Sequence, residues 1–218
     1  MLFKHYIWDF DGTICDSYPH IIECFLTVLG EEGISVDREL LARQFYDCFK
    51  RARKWSGISD EAYERFIRLH YRTGEDEPEP KVVPFPEIEG ILRAITEAGG
   101  DHYIYTNRND TVKYYCRKFG LDKYFKDYIT AEDDFPLKPA PDALLDLMKR
   151  HGLRPEDCVM IGDREIDGLS GVNAGMAGCL VTDFTVDADG RDPIEVSVMP
   201  YKCRTFGELL TLFEVDSL

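Results

Sequence analysis

Long apolar runs are missing from this sequence. No stretch approaches the roughly 20 consecutive apolar residues that a membrane-spanning helix needs. The first residues also lack the basic start, the apolar segment and the small-residue cleavage site of a secretory signal. These absences predict a cytoplasmic protein with no membrane partner.

Basic residues are scarce relative to acidic ones. The chain has 26 Lys and Arg residues against 41 Asp and Glu residues, which gives a net charge of -15. Such a charge repels phosphate backbones, so we expect no nucleic-acid partner. A site for a small phosphate compound would therefore need a bound cation or a few well-placed basic side chains.

Paired cysteine motifs are also missing. The seven cysteines are an odd number, they are scattered, and none forms a C-x-x-C pair of the zinc or redox type. We expect reduced thiols, as in cytoplasmic proteins. With 218 residues, of which 44% are hydrophobic, the chain is long enough for one core domain and a small accessory module.

What the sequence does contain is a regular alternation of strand-like and helix-like segments. Short apolar runs predict buried strands at residues 6–10, 103–105, 128–129, 159–161 and 179–181. Helical periodicity is found at residues 88–98, 111–119, 143–151 and 166–174, and the tail predicts an edge strand from residue 201 and a helix at 206–213. The alternation predicts a three-layer α/β fold with a doubly wound, Rossmann-like, mostly parallel sheet and helices on both faces.

One region interrupts this alternation. Residues 19–73 contain three helix-like segments and no convincing strand, and an acidic, Pro-rich run at 74–86 follows them. Closely spaced prolines cannot continue a helix and suit a semi-rigid linker. We therefore predict a core domain of residues 1–16 and 84–218 with an inserted helical cap domain of residues 17–83.

Acidic pairs follow two of the predicted strands. Asp9 and Asp11 end the first strand, and alternation along an extended chain points both carboxylates the same way. Asp163 ends the fourth strand, and Asp167 comes about one helical turn later. Ligands of open parallel sheets bind at this edge. Either pair alone also fits an ordinary turn or a favourable helix start.

Two further polar sites lie at the same predicted edge. Thr106 and Asn107 follow the second strand, where a hydroxyl and backbone amides suit phosphate oxygens, and Lys138 precedes a Pro-rich helix start. Taken singly, Thr-Asn is also a normal helix start, and a lysine in such a place is usually solvated. The conjunction of these residues with both acidic pairs favours a catalytic site.

An ordered set of four motifs resembles that of the haloacid dehalogenase superfamily: Asp9-Phe-Asp-Gly-Thr, Thr106-Asn, Lys138-Pro and Gly162-Asp163-x-x-x-Asp167. The resemblance implies a magnesium-dependent phosphatase. Asp9 would attack phosphorus and become an aspartyl phosphate, while Asp11 would act first as acid and then as base. Members that act on carbon–halogen or phosphorus–carbon bonds generally lack the second aspartate, so Asp11 implies phosphate-ester chemistry.

The same resemblance implies two sets of ligands. Magnesium would be held by an all-oxygen set: the Asp9 carboxylate, the Asp11 backbone carbonyl, Asp163, and Asp167 directly or through water. The nonbridging phosphoryl oxygens would be bound by three residues: Thr106, Asn107 and Lys138.

The substrate implied by the resemblance is a small phosphorylated metabolite, because an inserted cap of this kind closes over the site. The segment Asp16-Ser17-Tyr18-Pro19 resembles phosphoglycolate phosphatases and their relatives, so phosphoglycolate stands first, followed by sugar phosphates. Arg51 and Arg53 belong to a basic cluster in the cap and are candidate substrate-binding residues. The other interpretation of that cluster is a solvated helix face.

Two other functions fit the same motifs. A phosphosugar mutase of the β-phosphoglucomutase type would return the phosphoryl group to a second hydroxyl instead of water. A noncatalytic member would only bind a phosphometabolite, but a retired site has no physical need to keep so costly a cluster of charges. We expect a monomer or a homodimer.

Overall fold

The computed structural model describes residues 1–72 and 82–215. The strands are β1 (His5–Trp8), β2 (Cys15–Asp16), β3 (Val83–Pro84), β4 (Asp101–Tyr105), β5 (Phe125–Ile129), β6 (Cys158–Gly162), β7 (Ala177–Val181) and β8 (Tyr201–Cys203). The α-helices are α1 (Tyr18–Glu31), α2 (Arg38–Asp47), α3 (Phe49–Ser56), α4 (Asp60–His70), α5 (Ile88–Glu97), α6 (Thr111–Lys118), α7 (Asp142–His151), α8 (Glu165–Asn173), α9 (Pro193–Val196) and α10 (Phe206–Leu212). Only 82–86 of the predicted linker at 74–86 falls within the described residues.

The central sheet confirms the predicted fold class. Its six strands run in the order β5-β4-β1-β6-β7-β8, and every neighbouring pair is parallel. From β1 the chain adds β4 and β5 on one side of the sheet. It then returns to the other side of β1 and adds β6, β7 and β8 there. This is the strand order of a doubly wound Rossmann-like sheet, whose switch point lies between β1 and β6.

Helices cover both faces of this sheet. On one face, buried sheet side chains pack against α7 in a single cluster that includes Ile7, Tyr103, Met160, Leu144 and Leu147. On the other face, Tyr6 meets the ring of Phe213, which follows α10, with ring centroids 5.6 Å apart. Because both faces are covered, the strands are buried almost continuously, as parallel strands usually are.

A buried histidine joins β1, β4 and α5. The Trp8 indole donates to His102 Nδ1 at 3.0 Å, and His102 Nε2 lies 3.0 Å from the carbonyl of Leu92. Since Nδ1 accepts a hydrogen bond, the proton of the neutral ring belongs on Nε2, which donates to that carbonyl. Burial lowers the pKa of His102 to about 4, although the bond to Leu92 opposes the shift.

Because of this histidine, the stability of the folded protein decreases as the pH is lowered. The unfolded chain takes up the His102 proton near pH 6.5, whereas the folded chain resists it down to about pH 4. We therefore expect His102 alone to remove roughly 2–3 kcal/mol from the free energy of unfolding between pH 7 and pH 4.5. Urea unfolding across this range is the measurement, with His102→Gln as the comparison. The variant should be less stable at pH 7 but show a shallower slope, and an unchanged slope contradicts the assignment.

The second compact unit, called here the helical unit, comprises Asp16–Val83 and Phe184–Val196. Helices α1 to α4 surround a buried aromatic centre in which Phe25 lies 4.9 Å from both Phe45 and Phe66, edge to face. The sequence predicts three helices in residues 19–73, but the described part of that segment forms four. The second predicted helix, which lies between Gly33 and Ser56, is broken at Cys48. The extended backbone of Cys48 (φ -172°, ψ 155°) ends α2, and its thiol accepts a bond from the Arg51 amide at the start of α3.

The helical unit includes one segment from far along the chain, which the sequence predicts to belong to the core domain. We call Phe184–Val196 the strap. Phe184 stacks on Tyr46 with ring centroids 4.4 Å apart and meets Tyr18 edge-on at 5.6 Å. Within the strap, the Asp187 carboxylate accepts from the backbone amides of Asp189 and Arg191, which closes a tight turn.

All seven cysteines are free thiols, and six of them are buried. In the parts of the chain that the structure describes, no helix has both the length and the apolar character to cross a membrane.

Candidate active site

The carboxyl ends of β1 and β6 form the centre of the site. The two strands pair in register, with Trp8 opposite Ile161, and the Asp9 amide donates to the Ile161 carbonyl at 2.8 Å. Asp9 therefore leaves β1 beside the residues that leave β6, which include Asp163. Both carboxyl groups lie at the switch point of the sheet, where open α/β sheets bind their ligands.

Lys138 links two of the predicted acidic residues. Its ammonium group donates to Asp9 Oδ1 at 2.6 Å and to Asp167 Oδ1 at 2.9 Å, and its side chain is completely buried. The ring of Tyr105, at the end of β4, lies 4.7 Å from the same nitrogen. From the sequence alone, Lys138 could equally be exposed to solvent. In the structure it lies between the carboxylates of Asp9 and Asp167.

The charges in this cluster are not balanced by Lys138 alone. Burial raises the pKa of Asp9 to about 6; Lys138 opposes this shift, and the nearby Asp167 carboxylate adds to it. Burial by itself would lower the pKa of Lys138, but Asp167 and Asp9 outweigh burial and raise it. Lys138 is therefore firmly protonated. The ionised form of Asp9 stays energetically unfavourable unless a further positive charge lies beside it.

Three carboxylates are placed to share a metal ion. Asp9, Asp163 and Asp167 are all buried, and each offers an oxygen that lies within 4.8 Å of the other two. Within the described part of the chain, Asp9 Oδ2 is buried and has no hydrogen-bond partner. Thr13 contributes to the arrangement because its hydroxyl lies 3.4 Å from Asp163 Oδ1. A set of hard oxygen donors with one unsatisfied oxygen suits a small divalent cation.

The close approach of Asp167 depends on a glycine. Asp167 lies in the first turn of α8, and its Oδ2 accepts from the Arg164 amide at 3.1 Å. A Cβ atom at Gly162 would overlap the Asp167 side chain, so only glycine fits at the end of β6. Gly162 therefore belongs to the site for a steric reason: it leaves room for the Asp167 side chain. The motif alone does not reveal this role.

Asp11 is held by Arg108, a residue outside the predicted site. Arg108 Nε lies 3.1 and 3.0 Å from the two Asp11 oxygens, and Nη2 lies 2.9 Å from Oδ1. The Arg108 side chain is fully buried, whereas 17% of the Asp11 side chain is exposed. Gly12 follows in a left-handed conformation (φ +78°) that turns the chain directly after Asp11.

Thr106 and Asn107 follow β4, which is the neighbour of β1 in the sheet. Thr106 is buried, its amide donates to the Ile129 carbonyl at 3.0 Å, and its hydroxyl accepts from the Arg108 amide at 3.1 Å. Asn107 is half-buried. The structure thus brings seven predicted residues to one edge of the core: Asp9, Asp11, Thr106, Asn107, Lys138, Asp163 and Asp167.

The two remaining predicted residues, Arg51 and Arg53, lie in the helical unit. Arg51 pairs with Asp47 at 2.6 Å and with Asp189 of the strap at 2.6 Å. Arg53 pairs with Asp60. Both guanidinium groups therefore have acidic partners within their own unit, and their role in substrate binding stays a prediction.

Comparison with known proteins identifies the family. The family described as haloacid dehalogenase-like hydrolase matches residues 6–181. The pyrophosphatase PpaX of Halalkalibacterium halodurans is 26% identical over 217 residues, which cover 97% of each chain. The phosphoglycolate phosphatase of Vibrio vulnificus strain YJ016 is 27% identical over 226 residues, which cover 96% of each chain.

A solved structure shows the same fold. It is a haloacid dehalogenase superfamily hydrolase of subfamily IA from Geobacter sulfurreducens, with a TM-score of 0.71 and 22% identity, and the match covers 96% of this chain and 99% of that one. The family match spans most of the chain, including all four motifs. The chain therefore belongs to the haloacid dehalogenase-like hydrolase family, and within it the chain is a phosphatase.

Proposed function

We propose that the protein hydrolyses a small phosphate monoester with the help of magnesium, through a phosphoryl group carried transiently on Asp9. The observation that carries this proposal is the buried group formed by Asp9, Lys138, Asp163 and Asp167 at the switch point of the sheet. It combines a nucleophile, a fixed cation and spare oxygen ligands in one place.

The residues present fit a magnesium ion. Asp9, Asp163 and Asp167 would hold it with carboxylate oxygens, together with the backbone carbonyl of Asp11. The unsatisfied Asp9 Oδ2 supports this assignment, since a buried carboxylate oxygen without a partner is costly. When bound, the ion supplies positive charge that offsets the carboxylates and the phosphoryl oxygens.

Two aspartates divide the covalent chemistry. An Asp9 oxygen attacks phosphorus and the bond to the leaving oxygen breaks, while Asp11 gives that oxygen a proton. Asp11 then takes a proton from water, whose oxygen attacks phosphorus and releases inorganic phosphate and the free Asp9 carboxylate. The two residues come from one short segment at the end of β1, so each has a distinct position and a distinct task.

Three groups on neighbouring segments would bind the nonbridging oxygens of the phosphoryl group. Lys138 supplies a fixed positive charge, and Thr106 and Asn107 supply a hydroxyl and a backbone amide. Such donors are most useful when they are already in place, because the reaction then requires no reorganisation of the site. The burial of Lys138 and Thr106 provides that rigidity.

The substrate proposal follows the relatives, whose names include a phosphoglycolate phosphatase and a pyrophosphatase. We place phosphoglycolate first and sugar phosphates next, with pyrophosphate, which is an anhydride and not a monoester, as the alternative that the second relative suggests, and we place the reaction in the cytoplasm. Arg51 and Arg53 would bind a carboxylate or a second phosphate of the substrate, provided that this group displaces their acidic partners. These pairs are partly exposed, so such an exchange costs little.

The test is phosphate release from a panel of small phosphate compounds, including phosphoglycolate, pyrophosphate and several hexose phosphates. With magnesium we expect selective release from one group of substrates, and with EDTA we expect release to fall to background. Release that EDTA leaves unchanged would contradict the role of the metal. A hexose phosphate that is converted to an isomer without phosphate release would replace hydrolysis by the mutase reaction.

A further inference from the structure

Arg108 is a buried cation that the proposed reaction does not yet use. Its guanidinium group forms three contacts of 2.9 to 3.1 Å with both oxygens of Asp11. Arg108 is 1% exposed, so the pair is largely removed from water on the arginine side. A cation buried to this degree is costly unless its geometry is well satisfied, and here two nitrogens face one carboxylate.

The arginine side chain is itself held in one position. Its carbon Cζ lies 5.6 Å from the ring centroid of Phe10 and 5.7 Å from that of Tyr115. Its Nη1 donates to the Thr111 hydroxyl at 3.2 Å. The guanidinium is thus constrained by two rings, by α6 and by Asp11, so that it can transmit a fixed orientation to the carboxylate.

The backbone of Arg108 ties the same residue to the phosphate-binding segment. Its amide donates to the Thr106 hydroxyl at 3.1 Å, and its carbonyl accepts from the Ala131 amide at 3.0 Å. Arg108 therefore connects the end of β4, which carries Thr106, to the end of β1, which carries Asp11. Replacing Arg108 would therefore first change the orientation of the Asp11 side chain.

We propose that Arg108 is the positioning residue for Asp11: it fixes the carboxylate in the one orientation from which Asp11 exchanges protons with the leaving oxygen and with water. This inference rests on the proposed function. Arg108 acts through Asp11 and does not touch the substrate. Lysine cannot replace it fully, because a single ammonium cannot hold both carboxylate oxygens in a plane.

The test begins with Arg108→Met, which keeps apolar contact with the two rings, and Arg108→Lys, which keeps the charge. We expect Arg108→Met to lower kcat about 30- to 100-fold with KM changed less than about 3-fold, and Arg108→Lys to fall between it and wild type. Arg150→Met is the matched control, since it removes a surface arginine that pairs with Asp127 and Asp146, and it should leave kcat unchanged. A raised KM with normal kcat for Arg108→Met overturns the proposal in favour of direct substrate binding.

A double-mutant cycle separates positioning from a general structural effect. The substrate is p-nitrophenyl phosphate, whose leaving group departs readily without an acid, so that Asp11 is needed only for the attack of water, and a single turnover of Asp11→Asn is followed at high enzyme concentration by the release of inorganic phosphate. If Arg108 acts through Asp11, adding Arg108→Met to Asp11→Asn should slow this turnover by less than about 2-fold. An additional loss as large as that in the wild-type background overturns the proposal.

A crystal structure of Arg108→Met gives a readout that does not depend on turnover. We expect the Asp11 carboxylate to turn to a different rotamer or to occupy more than one. An Asp11 that keeps its wild-type position with full order overturns the proposal. Absence of magnesium-dependent release by the wild-type protein would instead overturn the proposed function, and this inference with it, so the two failures are distinguishable.

Discussion

Asp9→Asn is expected to fold normally and to lose at least about 10⁴-fold of the phosphatase activity, because an amide of nearly the same size cannot act as the nucleophile. The fold should survive because the Asn oxygen can still accept from Lys138, which lies 2.6 Å from Asp9 Oδ1. The substitution also removes a carboxylate whose pKa is raised by burial, so the fold no longer has to keep that unfavourable charge buried. Steady-state phosphate release with magnesium measures the loss.

Mass spectrometry after rapid acid quenching identifies the intermediate directly. Wild-type protein mixed with substrate should carry one phosphoryl group on the peptide that contains Asp9, and the Asn variant should carry none. Thermal unfolding of both proteins serves as the folding control. Near-normal turnover by the variant, or a phosphoryl group on a different residue, would remove Asp9 from the mechanism.

Lys138→Met is expected to be the second most damaging change. It should lower kcat/KM by roughly 10²–10³-fold, the usual loss when one fixed electrostatic donor is removed. It should also destabilise the metal-free protein by roughly 3–5 kcal/mol, because Asp9 and Asp167 then stay buried without their shared cation. Kinetics on the preferred substrate and urea unfolding without metal measure the two effects.

Magnesium distinguishes the structural role of Lys138 from its chemical role. The ion should restore much of the lost stability, since it supplies positive charge to the same carboxylates, but it should not restore turnover. Lys123→Met is the matched control, because the contacts that it removes, a pair with Glu89 and a contact with the Tyr124 ring, lie at the surface, and both measurements should stay at the wild-type values. Full recovery of turnover at high magnesium would show that Lys138 serves the fold and not the reaction.

Much of the core could be predicted from the sequence because its signals are local. Buried parallel strands give short apolar runs, and the motif residues lie where such runs end, as with Asp9 after β1 and Asp163 after β6. The break at Cys48 in the helical unit has no comparable signal. No Gly or Pro marks it, and the thiol that caps α3 is an unusual helix start.

Arg108 was missed because its partner is distant in sequence. An arginine after Thr106 and Asn107 is indistinguishable, along the chain, from a solvated residue, and only the pairing of β4 with β1 brings it to Asp11. One physical signal was available. A cation just before the start of α6 is unfavourable with respect to the helix dipole, and this favours a nearby carboxylate partner.

The strap has a consequence for how this enzyme can exchange parts with its relatives. Residues 16–83 are contiguous in the gene and would be the natural unit to transplant, yet the face of Tyr46 that stacks on Phe184 is completed by Phe184–Val196. A chimaera that receives the first segment alone would carry an aromatic surface fitted to a strap it does not possess. The helical unit of this chain would therefore have to be transplanted as two segments, and recombination at a single pair of crossover points separates what its fold requires together.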